Sequence, residues 1–250
     1  MKFIKLDCFS RPCFLVSERA ISSSGRDVFE ICRELFMLDG GAEIAVLSPS
    51  VNRDFKISMY NNSSVCPPSY LSGALGAAYY LEKQAGLPLR EYEIETDIGV
   101  YNVYSENGSY AIKPQKCKRI FTKTEEMPDG VEIKYAVAEF EERYAVFECE
   151  TFPPSEKERI GAMLCRAASA RSAVFVLRGK GEISVYTEAG YASLSDLRAA
   201  MAACLSGAIS NSGGGYRVMQ NNSEAELCFF GGAFYIRYTP RVLHLGNIDL

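Results

Sequence analysis

The sequence lacks the features that mark metal-binding and nucleic-acid-binding proteins. It has one histidine, His244, and nine cysteines with no C-x-x-C pair, whereas structural zinc sites need closely spaced Cys and His ligands. Its 27 Lys and Arg are outnumbered by 31 Asp and Glu, for a net charge of −4, so no concentrated positive charge favours a phosphate backbone. We therefore expect no metal ion and no nucleic-acid partner.

Long apolar stretches are also absent. The longest, such as residues 42–47, are far too short to span a bilayer. Residues 1–5 (MKFIK) lack the apolar run and cleavage site of a secretory signal. These absences predict a cytoplasmic protein with no membrane partner. In a reducing cytosol, most of the cysteines are expected to be small buried apolar residues.

The sequence does contain 48% hydrophobic residues, enough for a substantial core, arranged in short strand and helix patterns. In the first half we predict strands at residues 2–9, 13–16, 42–47 and 54–60, helices at 25–38 and 69–84, and a hairpin over 91–112 that turns at Asn107-Gly108. Ser24 and Asp27 predict a capping box for the first helix. In the second half we predict strands at residues 131–140, 144–150, 172–178 and 182–187, helices at 155–164 and 193–207, and a hairpin that turns at residues 231–232.

Corresponding segments of the two halves are separated by a near-constant distance along the chain. Residues 13–16 and 42–47 each have a counterpart about 130 residues later, and the two small-residue helices are about 125 apart. This spacing indicates a duplicated unit. We predict an α+β fold of two similar halves, residues 1–115 and 116–250, facing each other across a cleft. Each half would be a mostly antiparallel sheet or barrel around a central helix, and the C-terminal strands could return to the first half.

Several segments resemble the diaminopimelate epimerase family, whose fold is shared with proline racemases and phenazine-biosynthesis isomerases. The resemblance rests on residues 1–6, 41–43, 54–61, 145–147, 172–176 and 246–249. It covers nearly the whole chain in order, and it implies the two-half fold predicted above.

The resemblance also implies a chemistry that this chain lacks the residues to perform. In the family, C-G-N-G and C-G-T-G motifs at two helix starts supply two thiols that exchange the α-proton of an amino acid. Helix-start N–H groups hold the substrate carboxylate, and no pyridoxal phosphate or other cofactor is needed. Here the first motif falls on residues 70–73, which begin with Tyr70. The second falls on residues 196–199, which begin with Asp196, or starts at Ser195 if one gap is allowed.

Neither thiol position therefore holds a cysteine, and each replacement has two interpretations. Tyr70 would act as a base only if a neighbouring cation lowered its pKa; otherwise it fills space. Asp196 would serve as a carboxylate acid or base, as carboxylates do in the phenazine-pathway isomerases, or it would cap the helix together with Ser195. A four-residue deletion in the alignment would instead put Cys66 at the first position, but Pro67-Pro68 follow it and have no N–H groups to donate.

Anion binding at helix starts depends on backbone N–H groups rather than on side chains. We therefore predict ligand-binding roles for Ser69, Ser72 and Gly73 at the first helix and for Ser193 at the second. Arg11, which falls on a substrate-contacting asparagine of the family, would add a positive charge or would form a salt bridge.

Two functions stay open on this basis. The first is a diverged family member without two-thiol epimerase activity that binds a small carboxylate- or phosphate-bearing molecule or a protein. The alternative is a cofactor-independent racemase, epimerase or isomerase that uses Asp196, with Tyr70, in place of the cysteine pair. Loss of both thiols favours the first, because two-base epimerisation needs a group on each face of the substrate. A homodimer is compatible with either function.

Overall fold

The computed structural model describes residues 1–9, 11–62, 69–84, 86–87, 91–106, 109–113, 117–127, 130–140, 142–151, 154–178, 181–187, 190–191, 197–209, 215–220, 223–230 and 233–248. The strands are β1 (Lys2–Asp7), β2 (Pro12–Ser17), β3 (Glu43–Pro49), β4 (Phe55–Tyr60), β5 (Glu91–Thr96), β6 (Gly99–Glu106), β7 (Ser109–Lys113), β8 (Arg119–Glu126), β9 (Glu132–Glu139), β10 (Arg143–Cys149), β11 (Ser172–Leu177), β12 (Glu182–Thr187), β13 (Gly190–Tyr191), β14 (Gly215–Gln220), β15 (Ser223–Phe230), β16 (Ala233–Tyr238) and β17 (Arg241–Asn247). The helices are α1 (Glu18–Ser23), α2 (Val28–Leu38), α3 (Tyr70–Lys83), α4 (Pro154–Ala168) and α5 (Leu197–Leu205). This is a mostly-sheet α+β fold with few helices, as predicted.

Two compact units make up the chain. The N-terminal unit comprises Met1–Pro114 together with Arg237–Leu250, and the C-terminal unit comprises Gln115–Ile236. The last strand, β17, therefore belongs with the N-terminal unit, where it pairs with β1.

In the N-terminal unit, strand pairing alternates between antiparallel and parallel. Strands β17, β1 and β2 are antiparallel neighbours, β2 is parallel to β3, β3 is antiparallel to β4, β4 is parallel to β5, and β5, β6 and β7 are antiparallel. Helices α1 and α2 cover one face, where Phe14 of β2, Ile31 of α2 and Ile44 of β3 share a buried cluster. Helix α3 lies against the other face.

Helix α3 can lie deep in the unit because its sequence is small and apolar. A side chain at Gly76 would lie 3.2 Å from Leu15 and 3.1 Å from the Cys8 sulfur. A side chain at Gly73 would lie 2.4 Å from the sulfur of Met59. These short distances show that the backbone of α3 lies directly against the sheet. Ser69 caps the helix start and Gln84 its end, as the predicted range of 69–84 implies.

In the C-terminal unit, β8, β9 and β10 are antiparallel, β10 is parallel to β11, and β11 is antiparallel to β12. Helix α4 contributes Ile160 and Leu164 to a cluster with Phe175 of β11. Lys123 donates to the carbonyl of Ala167 at 2.8 Å, which satisfies one of the acceptors that the end of α4 leaves open.

Some sequence predictions of local structure were wrong. The N-cap of α2 is Asp27, whose side chain accepts from the N–H groups of Phe29 and Glu30, whereas Ser24 ends helix α1, which was not predicted. The segment 91–112 is three strands rather than one hairpin, because the chain also turns between β5 and β6. Strand β8 was missed. The predicted turns at 107–108 and 231–232 lie outside the described residues.

Within the described part of the chain, no helix is both long and apolar enough to cross a membrane.

Candidate functional site

Strand ends and one helix start converge in the N-terminal unit. Strand β1 ends at Asp7 and the chain turns back into β2, with the N–H of Cys8 donating to the carbonyl of Arg11 at 2.9 Å. In this turn Phe9 has a φ of 62°, a conformation that is costly for a bulky residue. Phe9 is fully buried, with its ring 5.7 Å from that of Tyr238 in an edge-on contact. Packing thus holds the turn that positions Arg11.

A buried ion pair lies beside this turn. The Nη1 of Arg11 donates to Oε1 of Glu43, and the two side chains are only 7% and 3% exposed. Glu43 is the first residue of β3. In the parallel pairing of β2 with β3 it lies opposite Cys13, which is two residues after Arg11. The pair is therefore set by the register of two neighbouring strands.

The same carboxylate reaches the start of α3. Oε1 of Glu43 also accepts from the N–H of Ser69, at 2.9 Å. The hydroxyl of Ser69 accepts from the N–H of Ser72 at 3.4 Å and donates to the Ser72 hydroxyl at 3.0 Å. We call Arg11, Glu43, Ser69 and Ser72 the α3-start cluster; it links two strands to the cap of the helix.

One oxygen of the α3-start cluster has no hydrogen-bond partner among the described residues. It is Oε2 of Glu43, which is buried, and Oδ1 of Asp7 is likewise buried and without a donor in the described part of the chain. The other oxygen of Asp7 pairs with Arg241. Leu6 lies opposite Cys13, which lies opposite Glu43, so Leu6 and Glu43 share one face of the sheet. Asp7 follows Leu6 along β1 and therefore points to the other face. Because an unsatisfied buried acceptor costs about 1–3 kcal/mol, Glu43 is a place where a ligand donor would be favourable.

The thiols near the cluster are poorly suited to proton transfer. Burial, with smaller contributions from Cys13, Asp7 and Glu43, raises the pKa of Cys8 well above its usual value. Burial and then Glu43 raise the pKa of Cys13 as well. Elsewhere, burial raises the pKa of Cys204 to about 12. Since the thiolate is the reactive form, these cysteines are inert near neutral pH.

Tyr70, which is predicted to fall at the first thiol position, has an environment unlike that of a base. Burial, and then the nearby carboxylate of Asp97, raise the pKa of Tyr70. Its hydroxyl donates to Oδ2 of Asp97 over a long 3.5 Å contact. To act as a base, Tyr70 would need a pKa below its usual value.

The structure thus brings together Arg11, Ser69 and Ser72, with Gly73 in the same first turn of α3, where it packs on Met59. The other predicted site residues, Ser193, Ser195 and Asp196, and the alternative Cys66, lie outside the described residues. The described residues contain no cluster of three or more His, Cys, Asp or Glu side chains that could hold a metal ion.

Sequence reasoning missed Glu43. The available signal was one acidic residue at the start of an otherwise apolar stretch, AEIAVL. Because a carboxylate is almost never buried without a partner, that pattern calls for a buried cation.

No protein-family model matches the sequence of this chain, and no curated protein matches it. Solved structures nevertheless share its fold. A PhzF-family phenazine biosynthesis protein from Enterococcus faecalis is 10% identical, with a TM-score of 0.67 and 100% of each chain covered. A probable proline racemase from Agrobacterium radiobacter with bound carbonate is 12% identical, with a TM-score of 0.63 over 100% of this chain and 93% of the other. A hydroxyproline epimerase from Agrobacterium vitis with bound trans-4-OH-L-proline is 12% identical, with a TM-score of 0.63 over 99% and 90%.

The chain therefore has the fold of PhzF-family proteins and of proline racemase-like epimerases. At 10–12% identity the likeness concerns the fold alone. The narrower resemblance to diaminopimelate epimerase stays a prediction.

Proposed function

We propose that this protein binds a small molecule carrying a carboxylate or a phosphate and does not perform two-thiol epimerisation. The α3-start cluster is the observation that carries ligand binding; the acid group of the ligand is taken from the resemblance to a family whose substrates are amino acids. The cluster contains buried polar groups, one with an oxygen that lacks a partner among the described residues, at the helix start where the family's first catalytic motif is predicted to fall. Buried polar groups without full partners lower stability, and a ligand that supplies the missing partner would offset that cost.

The absence of two-thiol chemistry is supported by residue types and by pKa directions. Tyr70 replaces the first thiol, and its pKa is raised by burial and by Asp97. Cys8 and Cys13, the thiols beside the cluster, have raised pKa values, chiefly because they are buried. A base that abstracts an α-proton needs a pKa near the working pH, and none of these groups is shifted towards it.

The test of binding is a thermal-shift screen of the purified protein against amino acids, keto acids and small phosphates. A compound that binds only the folded state raises its stability by about 2.7 kcal/mol at one hundred times its Kd, which is a clear rise in Tm. Ser69→Ala, which removes the hydroxyl of the helix cap, should weaken the response to each hit. Ser23→Ala, at an exposed helix end where the hydroxyl donates to the carbonyl of Arg19, is the matched control. A screen in which no acid or phosphate raises the Tm would contradict the proposal.

A carboxylate-based isomerase is the second candidate. It is favoured by the shared fold with a hydroxyproline epimerase and a PhzF-family protein, and by the predicted position of Asp196 at the second thiol site. Each hit should be incubated in deuterium oxide and its Cα hydrogen followed by NMR. Exchange that is lost in Asp196→Asn would establish this candidate in place of simple binding.

Interconversion of LL- and meso-diaminopimelate by the pure protein would contradict the claim that two-thiol epimerisation is absent. The control is prior treatment with N-ethylmaleimide, since a thiol-dependent reaction would stop while a carboxylate-dependent one would continue.

A further inference from the structure

The charges of the α3-start cluster determine which chemical group of a ligand it can bind. We propose that the group meeting Glu43 is a hydrogen-bond donor, an ammonium or a hydroxyl, and not the ligand's carboxylate or phosphate. The inference rests on the proposed function, because it says how a bound acid is oriented. It makes Glu43 a residue that determines specificity.

The cluster offers no surplus positive charge to a ligand acid. Arg11 is paired with Glu43 in an interior where both side chains are nearly free of solvent. Arg241 is paired with Asp7, on the other face of the sheet. A charge for a ligand acid and a salt bridge were both predicted roles for Arg11, and its charge is balanced by the Glu43 carboxylate.

The start of α3 already faces an anion. Oε1 of Glu43 accepts from the N–H of Ser69, the N-cap of α3, so the protein's own carboxylate lies where a ligand carboxylate would benefit from the helix dipole. A second carboxylate at this place would lie beside Glu43 in a water-poor interior. Like charges at such distances cannot both stay ionised without a large penalty.

The remaining oxygen of this carboxylate also points to a donor. Oε2 of Glu43 is buried, belongs to the same carboxylate as the helix-facing Oε1, and has no donor among the residues that the structure describes. A carboxylate oxygen can only accept hydrogen bonds. An ammonium or hydroxyl group on the ligand would satisfy it with a charge-assisted hydrogen bond, whereas an acid group would leave it unsatisfied.

The proposal separates three-carbon probes that differ only in their polar group. Propylammonium and propan-1-ol carry a donor, and propionate carries an acid. Titrations followed by NMR on protein with ¹³C-labelled glutamate carboxyls and ¹⁵N-labelled backbone report on Glu43 and on the Ser69 N–H directly. Propylammonium and propan-1-ol should shift both signals, and propionate should shift neither.

Glu43→Gln keeps the shape of the side chain and removes its charge. This variant should weaken propylammonium binding at the Ser69 signal by at least tenfold. Glu142→Gln, which alters a partly exposed ion pair in the C-terminal unit, should leave it unchanged. If Glu43→Gln does not fold, the wild-type comparison of propylammonium with propionate still decides the question.

Two results would overturn the inference. One is a shift of the Glu43 and Ser69 signals by propionate at equal or lower concentration than by propylammonium. The other is no response of these signals to either donor, because an ordered water molecule would then satisfy Oε2. Both differ from failure of the proposed function, in which no acid or phosphate raises the Tm in the thermal-shift screen.

Discussion

The two units carry an ion pair at corresponding places in their topology, with opposite polarity. In the N-terminal unit, the parallel register of β2 and β3 begins at Cys13 with Glu43, and Arg11 lies two residues before Cys13. In the C-terminal unit, the parallel register of β10 and β11 begins at Tyr144 with Ser172. Two residues before Tyr144 is Glu142, and it pairs with Arg171, next to Ser172.

The two pairs differ in burial. Arg11 and Glu43 are 7% and 3% exposed, whereas Arg171 and Glu142 are 23% and 36% exposed. Among the described residues, the buried charged side chains all belong to the N-terminal unit: Asp7, Arg11, Glu43 and Glu82. A solvated pair contributes little, whereas a buried pair is costly to break. The buried pair, Arg11 with Glu43, therefore lies in the N-terminal unit. The pair in the C-terminal unit, Arg171 with Glu142, is an ordinary partly exposed salt bridge.

Breaking the buried pair should give the largest effect. Glu43→Leu leaves the charge of Arg11 in a water-poor interior without its carboxylate and removes the acceptor of the Ser69 N–H. We expect a loss of about 3–5 kcal/mol in the free energy of unfolding, measured by urea denaturation.

The double variant Arg11→Met with Glu43→Leu is the control, because it replaces the pair with apolar groups of similar size. It should recover most of the loss. If Glu43→Leu alone costs less than about 1 kcal/mol, the pair behaves as a surface salt bridge and the contrast between the units fails.

Packing of the helices on the two sheets should give the next effect. A Cβ at Gly161 of α4 would lie 2.5 Å from Cγ and 2.9 Å from Cβ of Tyr186, whereas one at Gly73 of α3 would meet the flexible end of Met59. Gly161→Ala should therefore cost about 2 kcal/mol, the scale of overpacking. Gly73→Ala should cost under about 1 kcal/mol, because the methionine can move and alanine favours the helix. Equal losses in urea denaturation would show that the two sheets are equally rigid at these contacts.

Much of this local structure could be predicted from the sequence. Residues 69–84 predict α3 to within a residue at each end because a serine cap precedes a run of small helix-forming residues. The same reasoning gave the wrong result at Ser24 and Asp27. Two capping residues three positions apart are compatible with a single helix start, which was predicted, and with the end of one helix followed by the start of the next, which the structure has. Strand β8 was missed because its sequence, RIFTKTEE, is largely polar and half-exposed, so it lacks a strong apolar alternation.

The candidate site was harder to predict. Counting along the chain placed Ser69, Ser72 and Gly73 at a helix start, where the structure has them. The role of Glu43 depends on Arg11, 32 residues earlier, and on the parallel register that joins their strands. No local pattern encodes such a pairing, so the sequence indicated a helix start suited to anions without showing that a protein carboxylate already faces it.

The far end of α3 offers a smaller test within the N-terminal unit. Burial alone would raise the pKa of Glu82, but hydrogen bonds from Lys83, Ser105 and Tyr110 outweigh burial and hold the pKa below its usual value. A lowered folded-state pKa contributes stability that is present above the unfolded value of about 4.3 and is lost as the pH falls through the folded value. Glu82→Gln should cost about 1 kcal/mol at neutral pH, with a shallower loss of stability below about pH 4.3 than the wild type. Parallel stability curves for the two proteins in acid would show that Glu82 is not a source of the acid sensitivity.

The smallest effect should come from the solvated counterpart in the C-terminal unit. Glu142→Gln removes the carboxylate that pairs with Arg171, but both groups keep access to water. The expected loss is about 0.5 kcal/mol at low ionic strength, and it should shrink further in about 1 M salt, where the screening length falls to about 3 Å. Glu43→Gln, measured in the same way, should cost more and should respond less to salt, because its pair is buried. If the two variants show the same loss and the same salt dependence, burial does not distinguish the two ion pairs, and the proposed specificity of the α3-start cluster loses its physical basis.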